Sequence, residues 1–470
     1  MGSDHVVTSP KALRSYADGT LDNARLSTRR WKVGTPFDDA VVPTLVVAPS
    51  KTDEVAAVVR ACGRRGIPMV PMSGGSNLVG ATVPIKGGVI VDMRRMNKVL
   101  KVDVSGLTVI CQPGVVLSEL QSLLSLQGLC HGTNPGSAEW ATIRGAVSIG
   151  VQTMTGFKYG TVVDNLLALQ VVMPDGAVVR TGPWYGSGYN LRGLFPRSEG
   201  TLGIITEVTM KVHRLPPRRE TGGFLFPSFE DAVAIQLELQ SLELTAVSTL
   251  LSSKSFSRDH EALAVVDPRG RFHGWLMLEL EGEGHEVSAA IRTIGRVVKS
   301  RKGRKINQRA MDSLGGLLTL FTRGAAKSAA PSPGAGSKVR VSRHIWAPLD
   351  AILEVYKAFE GLVWKYRMDD STALNTPTRL IVGCLVDPCD ESQVERLSLL
   401  LQELGVIVRS AGGTLFGAHG VGLANVVAFQ DDYDEGSLEV MRKVKLALDP
   451  KLLMNPGKAL DLDGANNAAG

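Results

Sequence analysis

The sequence predicts an α+β fold with two domains and a C-terminal segment that returns to the first of them. The chain has 470 residues, enough for two to three domains. Residues 40–217 mix short strands with a few helices, whereas residues 218–411 alternate strand and helix. Residues 412–470 are too few to bury a core alone, so they must pack on an earlier domain. Residues 1–39 are set apart as an N-terminal segment.

The first domain begins with a strand, a helix, a second strand and then a glycine-rich loop. Apolar residues within 51–66 recur every three or four positions, which predicts a helix that ends at Gly66. Further along, a Pro-Asp-Gly turn at residues 174–176 lies between two apolar runs and predicts a β-hairpin. A last strand ends before the prolines at 216 and 217. We therefore interpret residues 40–217 as one α+β domain.

The second domain is predicted from strands that alternate with long amphipathic helices. This pattern favours an antiparallel sheet covered by helices on one face. Residues 324–338 interrupt it with a run rich in Ala, Ser, Gly and Pro. Such a run can bury little apolar surface, so we predict a mobile loop there.

Composition and charge exclude several classes of function. The net charge is +6, and the densest basic run, residues 300–309, has no interleaved aromatic residues, which argues against nucleic-acid binding. The five cysteines are odd in number and form no CxxC, so we expect neither a disulfide framework nor a zinc site. The sequence has no apolar run of ~18 residues, so we predict no transmembrane segment. We expect a soluble intracellular protein, in the cytoplasm or an organelle matrix.

A glycine-rich loop at residues 71–80, "PMSGGSNLVG", directly follows a predicted strand. Adjacent glycines allow consecutive main-chain N–H groups to turn inward, which makes a nest for an anion such as a pyrophosphate. The same pattern also fits a tight structural turn. It matches neither a Walker loop nor GxGxxG, so a classical Rossmann nucleotide site is disfavoured.

Further motifs in fixed order make the pattern specific. After the glycine-rich loop come "TNPGSAEWATIRGAVSIG" at 133–150, "KYGTVVDNLLALQVVMPDG" at 158–176 and "SGYNLRGLFPRSEGTLGIITEVTMKV" at 187–212. This order, with "GAHGVG" and "LDPKLLMNPGK" near the C-terminus, resembles the FAD-linked oxidoreductases of the vanillyl-alcohol-oxidase fold, also called PCMH-type. Within them it is similar to the D-lactate and D-2-hydroxy-acid dehydrogenases. The resemblance covers roughly residues 48–458.

The resemblance implies a PCMH-type FAD-binding domain of two α/β subdomains, a cap domain and bound FAD. No histidine or cysteine clearly marks covalent attachment of the flavin, so we expect non-covalent FAD. The glycine-rich loop should hold the pyrophosphate, the next motif should line the flavin and ribityl chain, and the 187–212 motif should meet the adenine half. A C-terminal asparagine should reach back to the flavin ring. The implied cofactor-binding residues are Ser73, Gly74, Gly75, Ser76, Asn77, Pro135, Gly136, Ser137, Thr142, Gly145, Ala146, Glu199, Gly200, Ile204, Ile205 and Asn455.

His419, in "GGTLFGAHGVGLANV", is the candidate catalytic base. Oxidation of a 2-hydroxy acid by flavin requires a base for the hydroxyl proton and a cation for the carboxylate. An imidazole with an ordinary pKa near ~6.5 accepts a proton at neutral pH. The alternative is a hydrogen-bonded histidine in a structural loop.

The sequence departs from its relatives where they bind a metal. Metal-dependent members carry GHxGDGNxH on a strand of the cap and an acid before the terminal histidine. Here the matching cap segment, residues 369–383, has no histidine, and Ala418 precedes His419. A divalent ion needs about three His or carboxylate ligands, so we predict no catalytic metal; His344 with Asp369 or Asp370 is a weaker alternative.

Three arginines are candidates for binding an anion. Arg144 stands in "TIRG" where the relatives have TIGG, and it either clamps an anion or points to solvent. Arg343 is chosen as the cation for the substrate carboxylate, with Arg379 as the other candidate and a solvated strand-edge arginine as the alternative.

The resulting prediction is an FAD-linked oxidase or dehydrogenase that acts on a CH–OH donor, a D-lactate-like 2-hydroxy acid, without a metal. One alternative is an alcohol-oxidising or alkyl-glycerone-phosphate-synthase-like flavoenzyme. Another is an FAD-binding protein that has lost catalysis. The partners are a small-molecule substrate and an unidentified electron acceptor, which is a quinone, a cytochrome, a flavoprotein or oxygen; a homodimer is left open.

Overall fold

The structure, a computed structural model, describes most of the chain. The described residues are 2–18, 42–77, 79–151, 156–182, 186–241, 246–252, 267, 269–307, 339–368, 371–376, 379–387, 390–426, 428–460 and 462. The loop predicted at 324–338 lies outside them.

The described residues divide into two compact units. The first unit comprises residues 1–153, 160–214 and 418–470, and the second comprises 154–159 and 215–417. The sequence placed the domain boundaries at 217 and 411 and did not separate 154–159 from the first domain. The sheets and hydrophobic clusters of the first unit are separate from the single sheet and core of the second.

The first unit contains two main sheets and one two-stranded ribbon. A four-stranded sheet has the order β1-β2-β4-β3, and its β2, β4 and β3 are parallel. A five-stranded antiparallel sheet has the order β5-β6-β10-β8-β9, and β7 pairs with β11. The strands are β1 Val6–Val7, β2 Leu45–Val47, β3 Met69–Met72, β4 Val89–Asp92, β5 Val99–Asp103, β6 Thr108–Cys111, β7 Leu129–Cys130, β8 Leu166–Val172, β9 Val178–Arg180, β10 Ile204–Lys211 and β11 His213–Arg214.

Helices of the first unit cover these sheets and connect them. They are α1 Pro10–Asp18, α2 Thr52–Arg65, α3 Leu117–Ser125, α4 Ile143–Ile149 and, near the C-terminus, Glu435–Leu448. The predicted helix at 51–66 is confirmed, and it ends at Gly66 in the left-handed conformation (φ 65°) that a residue without Cβ adopts easily. The predicted hairpin is confirmed as β8 and β9, which pair Val172 with Val178.

The C-terminal segment joins the first unit through main-chain pairing. Met69 at the start of β3 donates its N–H to the Leu453 carbonyl at 2.7 Å, and its own carbonyl accepts from Asn455 N–H at 2.7 Å. The side chains of Leu453 and Met454 belong to the same core as the apolar face of α2. These contacts bring the "MNPGK" sequence against the strand that leads into the glycine-rich loop.

The second unit is built on a seven-stranded antiparallel sheet, as the sequence predicts. Its order is β15-β12-β14-β13-β17-β18-β16. The strands are β12 Arg218–Phe226, β13 Ala246–Ser252, β14 Gly274–Gly282, β15 Arg304–Lys305, β16 Val339–Ile345, β17 Ser371–Thr376 and β18 Arg379–Val386. The helices described in this unit are α5 Gly156–Tyr159, α6 Phe229–Ser241, α7 Gly284–Ser300, α8 Ile352–Lys365 and α9 Glu391–Ser410. The helix Glu435–Leu448 of the first unit is therefore α10.

Four long helices of this unit pack on one face of the sheet. Along β14, Leu276, Leu278 and Leu280 belong to the core formed with α6, α7, α8 and α9. Trp275 and Met277, which alternate with these leucines along the strand, do not belong to it. Because successive side chains of a strand point to opposite faces, this alternation identifies the covered face. The predicted arrangement of an antiparallel sheet with helices on one side is therefore confirmed.

Candidate functional site

The glycine-rich loop, residues 73–77, lies at the carboxyl end of β3 in the parallel part of its sheet. Gly74 has no room for a side chain, because a Cβ there would collide with the Trp140 carbonyl oxygen. Gly75 has a φ of 65°, a left-handed conformation that glycine adopts without strain. Gly74 therefore allows the Trp140 carbonyl to approach the loop closely, and Gly75 allows an unusual backbone conformation.

The N–H groups of this loop point to an anion site. Those of Gly74, Gly75 and Ser76 donate no hydrogen bond to any residue that the structure describes. Consecutive unbonded N–H groups next to a left-handed residue form a nest for phosphate oxygens. Of the two readings of the loop left open by the sequence, this arrangement favours the anion nest over a purely structural turn.

The start of α4 packs against the nest. Thr142 caps the helix: its hydroxyl accepts a hydrogen bond from Gly145 N–H at 3.3 Å and donates one to the Ser73 hydroxyl at 2.8 Å. Gly145 faces the same side, since a Cβ there would stand 3.6 Å from the Ser73 Oγ. The motifs at 71–80 and 133–150 thus meet in space although about 70 residues separate them.

A pocket opens between the glycine-rich loop, α4 and the 187–212 motif. It is open to solvent, and the space among its lining atoms is about 470 Å³ when that open part is included. Its walls are mostly main chain, small side chains and hydroxyl groups, with two ionisable residues, Arg144 and Glu199. The lining residues are Pro71, Ser73, Gly74, Gly75, Ser76, Asn77, Ala81, Thr82, Thr142, Arg144, Gly145, Ser148, Ile149 and Glu199.

The turn that carries His419, residues 418–422, is held to this pocket by two side chains. Asn77 donates its amide Nδ2–H to the His419 carbonyl oxygen at 3.0 Å. The Glu199 carboxylate accepts the main-chain N–H groups of Val421 and Gly422, the latter at 2.8 Å. His419 itself has a φ of 71°. Such a conformation is uncommon for a side chain with Cβ and persists only where surrounding contacts impose it.

Glu199, which lines the pocket, and Lys458 are buried ionisable residues, and the charge of each affects the pKa of the other. Burial raises the pKa of Glu199 to about 7, although the N–H groups of Val421 and Gly422 and the charge of Lys458 act in the opposite direction. Burial likewise lowers the pKa of Lys458 to about 7, opposed by Glu199. Lys458 donates its Nζ–H to the Val83 carbonyl at 2.8 Å. The site therefore holds groups that change protonation near neutral pH.

Arg144 is buried, with 3% of its surface exposed, and it lines the pocket. The alternative in which it points to solvent is therefore wrong. Its Nη1 donates to the Pro71 carbonyl at 3.1 Å, whereas its Nε has no hydrogen-bond partner. Burial lowers the pKa of this guanidinium to about 10, so it is still charged at neutral pH.

Several predicted cofactor residues lie outside this pocket. Ile204 and Ile205 are buried in two different hydrophobic cores, and Ala146 is buried in one of them. Gly200 adopts a φ of 76° beside Pro71. The turn Pro135, Gly136 and Ser137 does not border the cavity. Any contact from the isoleucines to a ligand would have to use their main chain.

Asn455 is placed where it connects segments rather than in the pocket lining. Its Nδ2 donates to the carbonyls of Ala81 at 2.9 Å and Glu199 at 2.8 Å, and its buried Oδ1 has no partner. Sequence reasoning did not select Lys458, three residues further on, although it lies in the same "MNPGK" motif. Ser148, which lines the pocket with a buried hydroxyl that lacks a partner, carries no sequence signal that would have distinguished it.

Arg343 belongs to the second unit, on the edge strand β16. Its Nη1 donates to the Ser342 carbonyl at 3.1 Å, and burial lowers the pKa of its guanidinium to about 10. Arg343 forms no ion pair with a carboxylate among the described residues. It remains the candidate cation for the substrate carboxylate; the side chain of Arg379 is not described.

Among the residues that the structure describes, no three His, Cys, Asp or Glu side chains lie close enough together to hold a metal ion. Asp369 and Asp370, named above with His344 as a weaker metal site, lie outside the described residues, so the prediction of no metal stays a prediction. Among the described residues, Cys62, Cys111, Cys130 and Cys384 are buried and form no disulfide. Within the same described residues, no helix is long and apolar enough to cross a membrane.

The residues of the pocket fit a dinucleotide with a pyrophosphate. The nest offers three free N–H groups, Gly74 leaves space for close approach, and a buried guanidinium has an unused donor. Comparison with protein families agrees with this. Residues 43–182 match the FAD binding domain family, and residues 215–459, more than half of the chain, match the FAD linked oxidases, C-terminal domain.

The curated relatives include a glycolate oxidase subunit, a D-lactate dehydrogenase and an alkyldihydroxyacetonephosphate synthase. The chain is 27% identical over 436 residues to the glycolate oxidase subunit GlcD of Bacillus subtilis, with 90% of each chain covered. It is 29% identical over 444 residues to the D-lactate dehydrogenase (cytochrome) 1 of Saccharomyces cerevisiae, covering 90% of this chain and 73% of that one. A 206-residue stretch is 39% identical to the alkyldihydroxyacetonephosphate synthase of Dictyostelium discoideum, 43% of this chain and 34% of the relative.

Solved structures share the fold at low sequence identity. An alkyldihydroxyacetonephosphate synthase superposes with a TM-score of 0.76 at 22% identity, over 97% of this chain and 84% of that one. The p-cresol methylhydroxylase with bound substrate also gives 0.76, at 18% identity over 98% and 95% of the two chains. These similarities confirm the predicted PCMH-type architecture.

Proposed function

Because this chain belongs to the FAD-linked oxidases, we propose that it oxidises a D-lactate-like 2-hydroxy acid, with His419 as the base and without a metal. The relatives named for glycolate and D-lactate act on 2-hydroxy acids and align with about nine-tenths of this chain. The observation that carries the proposal is the attachment of the His419 turn to the pocket through Asn77 and Glu199.

The protein's part in this reaction is to hold the substrate and receive one proton. FAD, when bound, supplies a two-electron acceptor for the hydrogen of the substrate α-carbon. In the proposal, the neutral His419 imidazole receives the proton of the α-hydroxyl group. The guanidinium of Arg343 binds the substrate carboxylate in two parallel hydrogen bonds.

Several residues support His419 without touching the substrate. The hydrogen bond from Asn77 and the two accepted by Glu199 fix the main chain from the His419 carbonyl to the N–H of Gly422. A base held in place loses less freedom when the substrate binds, which favours proton transfer. The glycines at 420 and 422 allow this close seating, since a Cβ at either position would collide with Glu199 or with the Val79 carbonyl.

Anaerobic titration of the holoprotein with D-lactate, L-lactate and glycolate tests the substrate class. Loss of the visible absorbance of oxidised flavin with one or more of them, but not with the corresponding unsubstituted acids, is expected. The absence of reduction by every 2-hydroxy acid tried would refute the proposal.

A second candidate is an activity on a phosphorylated glycerone or ether substrate. It is favoured by the 39% identity to an alkyldihydroxyacetonephosphate synthase over 206 residues. A change of the flavin spectrum on addition of dihydroxyacetone phosphate, without reduction by 2-hydroxy acids, would support this candidate instead.

A further inference from the structure

Arg144 carries a positive charge in a place where the protein itself provides no counter-ion. The side chain is 3% exposed, and it forms no ion pair with a carboxylate among the described residues. One of its nitrogens reaches the Pro71 carbonyl, and its Nε lacks any partner. An isolated buried charge is costly, so buried charges are normally paired or hydrogen-bonded throughout. The arrangement indicates that a bound ligand provides the anion that pairs with Arg144.

Glu199 is the acidic side chain that lines the same pocket, and it is engaged elsewhere. Its carboxylate accepts the N–H groups of Val421 and Gly422, and the charge that acts on its pKa is that of Lys458. The guanidinium therefore remains available to a ligand.

The position of Arg144 selects the part of the ligand it can reach. Its Nη1 binds the carbonyl of Pro71, two residues before Ser73, and its Nη2 lies 3.0 Å from where a Cβ on Gly200 would stand. The neighbouring Gly145 lies beside the Ser73 hydroxyl. The guanidinium is thus located at the base of the loop whose Gly74, Gly75 and Ser76 N–H groups are unbonded.

We propose that Arg144 is a cofactor-binding residue whose guanidinium pairs with the pyrophosphate of FAD, alongside the N–H groups of residues 74–76. The pyrophosphate is a permanent anion, whereas the oxidised flavin ring is neutral. Arginine matches phosphate oxygens through its planar fork of donors. The assignment holds whichever substrate the enzyme oxidises.

The test compares the affinity of the apoprotein for FAD and for riboflavin, which lacks phosphate. Arg144→Met should weaken FAD binding by about 100-fold, the loss expected for a charge-assisted contact, and leave riboflavin binding nearly unchanged. Arg144→Lys should lose less. Arg64→Met, which removes an exposed arginine from α2, should bind FAD as the unmodified protein does.

Two further measurements separate the alternatives. A guanidinium at the pyrophosphate predicts that the reduction potential of bound flavin is unchanged in Arg144→Lys. A lowered potential, or an equal loss of affinity for riboflavin and FAD, would place the guanidinium at the flavin ring and overturn the proposal. Unaltered FAD affinity would overturn it as well. Should Arg144→Met fail to fold, inorganic pyrophosphate decides: it should raise the Tm of the unmodified apoprotein more than that of Arg144→Lys, and equal shifts would contradict the proposal.

Discussion

Replacing Lys445 with methionine removes the cation that ties the C-terminal segment to the first unit. Lys445, on α10, is 8% exposed, and its Nζ contacts the Asp449 carboxylate at 2.6 Å. The same ammonium donates to the carbonyls of Thr201 at 2.7 Å and Met454 at 3.1 Å. Asp449 is itself 1% exposed and accepts the N–H of Met454 at 2.8 Å.

The expected loss follows from what the substitution leaves behind. Methionine fills most of the volume but strands the buried Asp449 carboxylate, which keeps only main-chain donors. Breaking a buried ion pair on one side costs about 3–5 kcal/mol. Burial lowers the pKa of Lys445, opposed by Asp449, which means that part of the attraction offsets the desolvation of the ammonium. We therefore expect a value near the lower end, about 3 kcal/mol.

The assay is the free energy of local opening of residues 449–455, from amide hydrogen exchange of the holoprotein. The matched control is Lys443→Met on the same helix, because Lys443 is exposed and its pair with Glu439 spans 3.6 Å at the surface. That control should change the opening free energy by less than about 0.5 kcal/mol. Asp449→Asn combined with Lys445→Met should cost less than the sum of the two single changes.

Two results would refute this reasoning. One is a loss below about 1 kcal/mol for Lys445→Met, the range of an exposed pair. The other is strict additivity in the double variant, since residues in direct contact should show coupling.

Three other predictions concern the pocket. Gly74→Ala should weaken FAD binding by about 1–3 kcal/mol, because the new Cβ meets the Trp140 carbonyl. The control Gly295→Ala, which has open space around it, should leave FAD binding unchanged. Equal affinities of the two variants for FAD would contradict the role of the glycine-rich loop in binding. The raised pKa of Glu199 means that its contribution to stability falls as pH rises from about 4.5 to about 7, so Glu199→Gln should flatten Tm against pH in that window. The lowered pKa of Lys458 makes its contribution rise from pH 7 upward, so Lys458→Met should flatten the profile there, and an unchanged slope would argue against either assignment.

Local patterns in the sequence were sufficient to predict the helix α2, the hairpin of β8 and β9 and the glycine-rich loop at 73–77. Glycine spacing and hydrophobic periodicity act over a few residues, which is why the helix α2, the hairpin of β8 and β9 and the glycine-rich loop follow from them. The resemblance of ordered motifs then identified the cofactor class. Both kinds of information are carried by residues close together in the chain.

The hydrogen bonds of Asn77 and Glu199 to the turn that carries His419 could not be predicted in the same way. Glu199 and Gly422 are 223 positions apart, and their hydrogen bond depends on how the C-terminal segment folds back. Nor does sequence distinguish a strand residue that faces a core from one that faces a ligand, which is why Ile204 and Ile205 were selected although both side chains are buried in cores. The burial of Arg144 similarly depends on the packing of α4 on β3 and its loop.

The central claim is that His419 receives the substrate proton without help from a metal, and rapid anaerobic mixing of the holoprotein with D-lactate tests it most directly. His419→Asn is the informative variant, because asparagine tolerates the left-handed backbone (φ 71°) but cannot act as a base. We predict that flavin reduction is unaffected by a chelator and falls by about 10²–10⁴-fold in His419→Asn, with FAD still bound. Reduction that stops on chelation, or that proceeds at the unmodified rate in His419→Asn, would contradict the claim.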